Sequence, residues 1–178
     1  MTRLSRSIPV LLLVALAIAG CGRENSADSE PFKFVMYPGA RLLPRLTEAT
    51  KQAYRIIRPN QPSAEVFIYD TDASVDDVAR YYTADYNYGA IAPDATNNLS
   101  AAKPPAYRRS GDLQSDLKGI EPLLPKLNLK TDTSKAVGTY QAVELAGKNN
   151  RPQVTIQRPY FDVTTSQVVD KTMILMAR

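Results

Sequence analysis

Four aspartates stand close together in the chain, and clustered carboxylates are the ligands that calcium prefers. They are Asp70, Asp72, Asp76 and Asp77. An EF-hand loop beginning at Asp70 would need glycine where Val75 stands and glutamate where Tyr81 stands, so the pattern fails at two decisive positions. A strand end followed by a helix cap explains the cluster without a metal. The sequence therefore predicts no metal ion and no cofactor.

A second charged group has residue types suited to acid–base chemistry: Arg108, Arg109, Asp112 and Asp116. A carboxylate acts as a general acid near neutral pH only when apolar surroundings or other charges shift its pKa. These residues are expected in or beside a surface loop, with nothing apolar nearby to cause such a shift. Exposed salt bridges are the favoured interpretation, and no catalytic residue is predicted.

Histidine is absent from the sequence, and Cys21 is the only cysteine. Without these residues the chain cannot form a Ser-His-Asp triad, a Cys-His pair, a His-Glu zinc helix or a cysteine-built redox site. A disulfide is also excluded, so packing alone must hold the fold. The composition favours a protein that is not an enzyme, with a hydrolase that uses carboxylates alone as the alternative.

Tyrosines form the first group of candidate contact residues. Helical geometry points Tyr82 and Tyr86 inward, which leaves Tyr81 and Tyr88 free to contact a sugar ring or a protein partner. A second group is Arg158-Pro159-Tyr160-Phe161-Asp162. It has two interpretations: a strand end with a groove in which Arg158 and Tyr160 contact a partner, or a rigid edge turn with Tyr160 or Phe161 in the core.

The clearest element that would position these residues is a helix over about 74–87. Ser74 is a good N-cap with Asp77 three residues on, and Gly89 supplies a stop. An apolar face repeats at helical spacing through Val75, Val78, Ala79, Tyr82 and Tyr86. The pattern predicts an amphipathic helix packed on a sheet.

The remaining pattern predicts mainly β-structure. Residues 40–57 suit either a short strand, through Leu42, Leu43 and Leu46, or a helix, and a helix from about Thr47 with that residue as its cap is favoured. Pro122 and Pro125 break a helical rhythm over about 112–127 into short turns. Residues 97–109 are polar and contain proline, and are expected as a surface excursion. Strands are expected over 64–69, 139–145, 153–157 and 171–176. The fold class is therefore α+β, a single domain with a mainly antiparallel sheet.

The first 20 residues have the order of a secretory signal peptide. Arg3 and Arg6 precede an apolar stretch over residues 10–19, and no acidic residue stands before it. That stretch is about half as long as the roughly 20 apolar residues that a membrane-spanning helix needs. Residues 1–20 are therefore expected to be removed after export.

The apolar stretch ends in Ile18-Ala19-Gly20-Cys21, which resembles the lipobox of bacterial lipoproteins. The resemblance implies that Cys21 receives a diacylglyceryl group, becomes the first residue after cleavage and is acylated on its amino group, for example with palmitate. Several acyl chains on one residue hold a protein on a bilayer effectively permanently. Residues 21–30 are then the anchor and flexible tether, and residues 31–178 the folded domain. Because Gly22 is not the aspartate linked to inner-membrane retention, the resemblance implies the outer membrane in a cell envelope with two membranes.

A second, looser resemblance covers about 50 residues. Tyr37-Pro38-Gly39-Ala40, Tyr69-Asp70-Thr71-Asp72 and Val78-Ala79-Arg80-Tyr81-Tyr82 resemble a small α+β domain of bacterial envelope proteins, in which a Tyr-Pro-Gly-Ala turn precedes a strand and a tyrosine-rich helix. That group has no agreed activity. The resemblance therefore implies a fold and no particular function.

The charge balance bears on the partners of the protein. Of 22 basic and 18 acidic residues, two arginines lie in the first 20, which leaves 20 basic against 18 acidic residues. Nucleic-acid binders carry a larger basic excess, so no nucleic-acid partner is expected. The sequence predicts a lipid-anchored module that binds or scaffolds another envelope protein or a glycan. A carboxylate-dependent hydrolase and a carrier of a lipid or small molecule remain the alternatives, and the carrier requires an enclosed pocket.

Overall fold

A six-stranded antiparallel sheet forms the centre of the protein in a computed structural model, which describes residues 34–60, 65–86, 88–93, 104–147 and 152–178. The strands are β1 (Arg41–Leu42), β2 (Val66–Thr71), β3 (Ala106–Asp112), β4 (Thr139–Leu145), β5 (Gln153–Arg158), β6 (Tyr160–Asp162), β7 (Gln167–Val169) and β8 (Thr172–Ala177). The large sheet has the order β1-β2-β8-β5-β4-β3, with every neighbouring pair antiparallel, and β6 and β7 form a separate two-stranded sheet.

Helices cover both faces of the large sheet. They are α1 (Pro44–Ile57), α2 (Val75–Tyr86) and α3 (Leu113–Leu117), and short 3-10 turns follow at Glu121–Leu123, Pro125–Leu127 and Thr133–Lys135. All six residues of β8 are buried, because a central strand between two covered faces packs on both sides. One core contains Tyr82 of α2 with Ile174, and the other contains Leu46 of α1 with Leu175. These two sides are called the α2 face and the α1 face.

The predicted α+β architecture is confirmed, and α2 begins as its sequence indicates. The Asp77 amide donates to Ser74 Oγ at 3.1 Å, and Ser74 Oγ donates to Asp77 Oδ2 at 2.7 Å. This reciprocal pair satisfies an amide that the first helical turn leaves without a partner. The broken segment is confirmed as well, since Pro122 and Pro125 each stand at the start of a 3-10 turn.

The start of α1 differs from the prediction. The helix begins at Pro44, whose fixed φ and missing amide suit the first helical position. Thr47 is not the cap: it is buried, and its Oγ1 accepts the amide of Ile68 in β2 at 3.1 Å. The threonine thus fastens α1 to the neighbouring strand.

The expectation of a surface excursion up to residue 109 is wrong for residues 106–109, which belong to β3. This edge strand pairs with β4 along its whole length, from Ala106 opposite Leu145 to Asp112 opposite Thr139. Two consecutive arginines give the segment a polar pattern, yet only Arg108 is exposed, whereas Arg109 is 7% exposed. Residues 94–103 of the same stretch lie outside the described residues.

Further predictions concern residues outside the described ranges. They are the signal peptide over 1–20, Cys21 with the tether to residue 30, the start of the domain at residue 31, and residues 148–151 of a turn expected over 147–152 between two of the predicted strands. These stay predictions. Among the helices of the described ranges, none has both the length and the apolar character that crossing a membrane requires.

Candidate functional site

A cavity lies on the α1 face, enclosed by α1, by the segment from α3 to the second 3-10 turn, and by the sheet. Its volume is about 80 Å³, the volume that roughly two or three water molecules occupy at about 30 Å³ each in the liquid. The wall is mostly apolar. It includes Leu46, Ile68, Leu117, Phe161, Met173 and Leu175.

The mouth of the cavity is marked by the lining residues that are only half-buried. These are Thr50, Ala53 and Ile57 of α1 together with Leu123 and Leu127 of the turns, and the other lining residues are buried. The space arises because α1 presents alanines at helical spacing on its inner face, where larger side chains would fill the gap. The mouth therefore opens between α1 and the 3-10 turns.

Three of the lining residues carry a buried polar atom. The hydroxyl of Tyr54, Oδ2 of Asp116 and Oε1 of Gln157 are buried and have no hydrogen-bond partner among the described residues. A buried polar atom left without a partner costs about 1–3 kcal/mol, so such atoms are rare in folded proteins and call for an explanation. Three residues of this kind in the lining of one apolar cavity are a pattern typical of a ligand site.

Asp116 reaches the cavity because of the way α3 begins. The carboxylate of Asp112 accepts the amide of Ser115 at 2.8 Å and so caps the helix. Asp116 then falls on the same helical face as Leu113, three residues earlier, and beside Leu117. An acidic side chain is thereby held among apolar neighbours.

Arg109 is the cation closest to this acid in the described network. Its Nη1 lies 3.6 Å from Asp116 Oδ2, beyond hydrogen-bond length, and also contacts the Tyr140 hydroxyl. Its Nε donates to Glu144 Oε1 at 2.7 Å, and Thr155 Oγ1 donates to Glu144 Oε2 at 2.6 Å. One guanidinium therefore serves two buried carboxylates, and the better bond goes to Glu144.

Burial controls the ionisation of the cavity groups. It raises the pKa of Asp116 above the ordinary aspartate value, and the Tyr140 hydroxyl and Arg109 oppose that shift only in part. Burial also raises the pKa of Tyr54 to about 12, so this hydroxyl keeps its proton at neutral pH. The favoured interpretation of exposed salt bridges is wrong for Arg109 and Asp116, which are buried. It is confirmed for Arg108, whose Nη1 lies 2.7 Å from Asp76 Oδ1.

The tyrosines proposed as partner contacts are placed differently from the expectation. Tyr88 is 2% exposed, and its hydroxyl donates to the carbonyl oxygen of Pro152, so this ring offers no surface to a partner. Tyr81 is half-buried and packs edge-on against Tyr37, with 5.1 Å between the ring centroids. The inward direction of Tyr82 is confirmed by its complete burial.

The segment around Pro159 follows the core interpretation of the two that the sequence left open. Tyr160 is 2% exposed, lines the cavity and donates from its hydroxyl to Asp70 Oδ2 at 3.2 Å, so it is not available as an exposed contact residue. Phe161 is 8% exposed. Arg158 is partly exposed, and its Nε donates to Asp170 Oδ1 at 2.9 Å.

The aspartates of the calcium-like cluster are held by protein groups. Asp70 pairs with Arg41 at 2.9 Å and Asp72 with Lys171 at 3.0 Å. Asp76 and Asp77 pair with Arg108 and Arg80, respectively. Within the described ranges, no group of three or more acidic or cysteine side chains is placed to hold a metal ion.

The sequence contained one usable signal for this site. Asp116 interrupts the apolar rhythm that Leu113, Leu117, Ile120 and Leu124 define, and an acid on an apolar helical face is unusual. Tyr54 and Gln157 carried no such signal. Comparison of the chain with protein-family models, with curated proteins and with solved structures finds no match.

Asp116→Asn is expected to make the protein more stable at pH 7, with a smaller gain at pH 4. The raised pKa means that the folded state keeps a proton which the unfolded chain loses above about pH 4, so stability falls as the pH rises through that window. Asparagine does not ionise and removes this loss. Urea denaturation between pH 4 and pH 8 measures the difference, with exposed Asp85→Asn as the control. A gain that is equal at all pH values would contradict the assignment.

Proposed function

We propose that this chain is a lipid-anchored envelope protein whose domain binds a small, largely apolar molecule in the cavity under α1. The observation that carries the proposal is that three residues lining one apolar cavity each carry a buried polar atom without a hydrogen-bond partner among the described residues. Small-molecule sites typically combine an apolar wall with a few polar groups that orient the ligand. This function is the carrier alternative of the sequence analysis.

A macromolecular partner has weaker support. Of the four expected contact residues, Tyr88 and Tyr160 are buried, Arg158 is engaged with Asp170, and Tyr81 packs on Tyr37. Large side chains buried in the core give no surface for a protein or a glycan. The α1-face cavity, by contrast, has a mouth lined by half-buried residues.

A carboxylate-dependent hydrolase also has weaker support. Such an enzyme needs a second carboxylate that is free to act beside the general acid. Glu144 shares Arg109 with Asp116, but both of its oxygens accept hydrogen bonds, one from Arg109 and one from Thr155. The arrangement suits recognition better than bond cleavage.

The membrane part of the proposal rests on the lipobox at Ile18-Ala19-Gly20-Cys21. Acyl chains on Cys21 would hold the cavity at a bilayer surface, where apolar molecules accumulate. Cys21→Ser is expected to move the protein from the membrane fraction to the soluble fraction and to abolish incorporation of labelled palmitate in living cells. A variant that remains processed and membrane-bound would refute lipidation at this residue.

Ligand binding is tested by filling the cavity. Ala53 lines its mouth, and Ala53→Leu adds three carbon atoms there while keeping a strong helix former in α1. 1-Hexanol is the probe, because its hydroxyl can pair with a buried polar atom while the part of its chain that the cavity does not hold extends through the mouth between α1 and the 3-10 turns. We expect 1-hexanol to bind the native protein and to bind Ala53→Leu at least about tenfold more weakly.

Methionine methyl signals locate the binding in the native, detergent-purified chain. Met173 lines the cavity, whereas Met176 on the same strand is buried on the α2 face. In carbon-13 NMR titrations the Met173 methyl should shift and the Met176 methyl should not. Ala84→Leu on exposed Ala84 of α2 makes the same change away from the cavity and should leave binding intact. Absence of a Met173 response, or an equal response in Ala53→Leu, would overturn the proposed function.

A further inference from the structure

We infer that the polar end of the ligand is a positively charged hydrogen-bond donor, a primary amine, which Asp116 recognises inside the cavity. The inference rests on the proposed function and deepens it, because it assigns a chemical class to the bound molecule. Three properties of the described cavity lead to it: which buried atoms lack a hydrogen-bond partner, how the buried charges balance, and where Asp116 lies.

Two of the three atoms without a hydrogen-bond partner act as acceptors. Oδ2 of Asp116 accepts when the carboxylate is ionised, and Oε1 of Gln157 is an acceptor at any pH. The direction of the Gln157 amide is fixed because its Nε2 donates to the carbonyl oxygen of Pro159 at 3.3 Å. Only the Tyr54 hydroxyl is able both to donate and to accept. A ligand that offered only acceptors would leave two of the three buried oxygens without a partner.

The buried charges beside the cavity do not balance. Asp116 and Glu144 supply two carboxylates, and Arg109 supplies one guanidinium. The guanidinium is committed to Glu144 through Nε at 2.7 Å and to the Tyr140 hydroxyl, and it remains 3.6 Å from Asp116 Oδ2. With both acids ionised the group carries one excess negative charge. A monovalent cation cancels that charge, whereas a fatty acid or another anion would add to it.

A primary ammonium group has the matching chemistry. It carries one positive charge and three N–H donors, as the side chain of lysine does. Charge-assisted hydrogen bonds are roughly twice as strong as neutral ones, so the ammonium group should gain most from Asp116. The apolar wall is left to contact the first part of a short hydrocarbon chain, and the rest of that chain extends through the mouth of the cavity.

The position of Asp116 supports the same conclusion. It is 8% exposed and lies between Leu113 and Leu117, which also line the cavity. Removal of an acid from water is unfavourable unless a partner compensates for it. In the protein the compensation is incomplete, and an incoming cation completes it.

The experiment compares hexylamine, 1-hexanol and hexanoate on the native chain and on Asp116→Asn, with the Met173 methyl signal as the readout. Asparagine keeps the shape of the side chain and removes its charge. We expect Asp116→Asn to weaken hexylamine binding at least about tenfold and to change 1-hexanol binding less than about threefold, because a hydrogen bond to a charged group contributes more than a neutral one. Hexanoate should not bind the native chain. For each ligand, the affinity for the native chain is compared with the affinity for the variant, so partition of the ligand into detergent affects both measurements equally.

Controls separate this inference from the proposed function. Asp85→Asn removes an exposed acid from α2 and should leave the binding of both ligands unchanged. If 1-hexanol binds and Asp116→Asn does not change the affinity for hexylamine, the amine inference is overturned while the proposed function stands. Binding of hexanoate to the native chain would also overturn it. If neither 1-hexanol nor hexylamine shifts Met173, the proposed function itself fails.

Discussion

Arg109→Met is expected to lower the free energy of unfolding by about 3–5 kcal/mol, the cost typical of removing one partner from a buried ion pair. Arg109 lies 2.7 Å from Glu144 and 3.6 Å from Asp116, and all three side chains are buried. Methionine keeps much of the apolar length of arginine but none of its charge. The substitution therefore leaves Glu144 as a buried carboxylate without its cation. Urea denaturation at pH 7 measures the loss.

The neighbouring arginine provides the matched control. Arg108 stands next to Arg109 in β3 and forms a comparable ion pair with Asp76, but its side chain is 45% exposed. Exposed pairs contribute at most about 1 kcal/mol, so Arg108→Met should cost little. The double variant Arg109→Met with Glu144→Gln should recover part of the loss, because it removes the stranded charge. Equal, small losses for the two arginines would show that the buried network does not stabilise the fold.

Elements with local signals were predictable from the sequence. Ser74 and Asp77 make hydrogen bonds with one another at the start of α2, so two residues three positions apart in the sequence are enough to predict the cap. The strand at Thr139–Leu145 was predicted with its observed bounds, since its apolar and β-branched residues are contiguous. β3 was missed because its pairing with β4 joins residues 27 to 39 positions apart, from Asp112 opposite Thr139 to Ala106 opposite Leu145, and no local pattern encodes that contact.

The candidate site was less predictable than the fold. The apolar rhythm of Leu113 and Leu117 was visible, but the burial of Asp116 among them depends on Arg109 from β3 and on the cover that α1 provides. Charge pairs between distant segments carry no periodicity in the sequence. The prediction that Tyr88 is a contact residue is wrong for a related reason. Tyr88 packs in the α2-face core and donates a hydrogen bond to Pro152, far along the chain, so its burial does not follow from the face of α2.

Tyr82→Ala is expected to destabilise the protein by about 3–5 kcal/mol, as large aromatic-to-alanine changes in cores do. Tyr82 is completely buried on the α2 face. Its ring stacks on Tyr86 with 6.1 Å between the centroids, and its hydroxyl accepts the amide of Tyr37 at 3.0 Å. The side chain thus joins α2 to the segment that precedes β1. Thermal and urea denaturation measure the change.

Comparison with the adjacent tyrosine distinguishes the loss caused by removing a buried side chain from the loss caused by removing any aromatic ring. Tyr81 is half-buried at the preceding position of the same helix, so Tyr81→Ala should lower the free energy of unfolding by less than about 2 kcal/mol. Tyr82→Phe keeps the ring and removes only the acceptor for the Tyr37 amide, which should cost about 1 kcal/mol. The expected order of losses is therefore Tyr82→Ala, then Tyr81→Ala, with Tyr82→Phe close to the latter. A loss for Tyr81→Ala as large as that for Tyr82→Ala would place the core side of α2 one residue away, and would contradict the face that both the sequence and the structure assign to this helix.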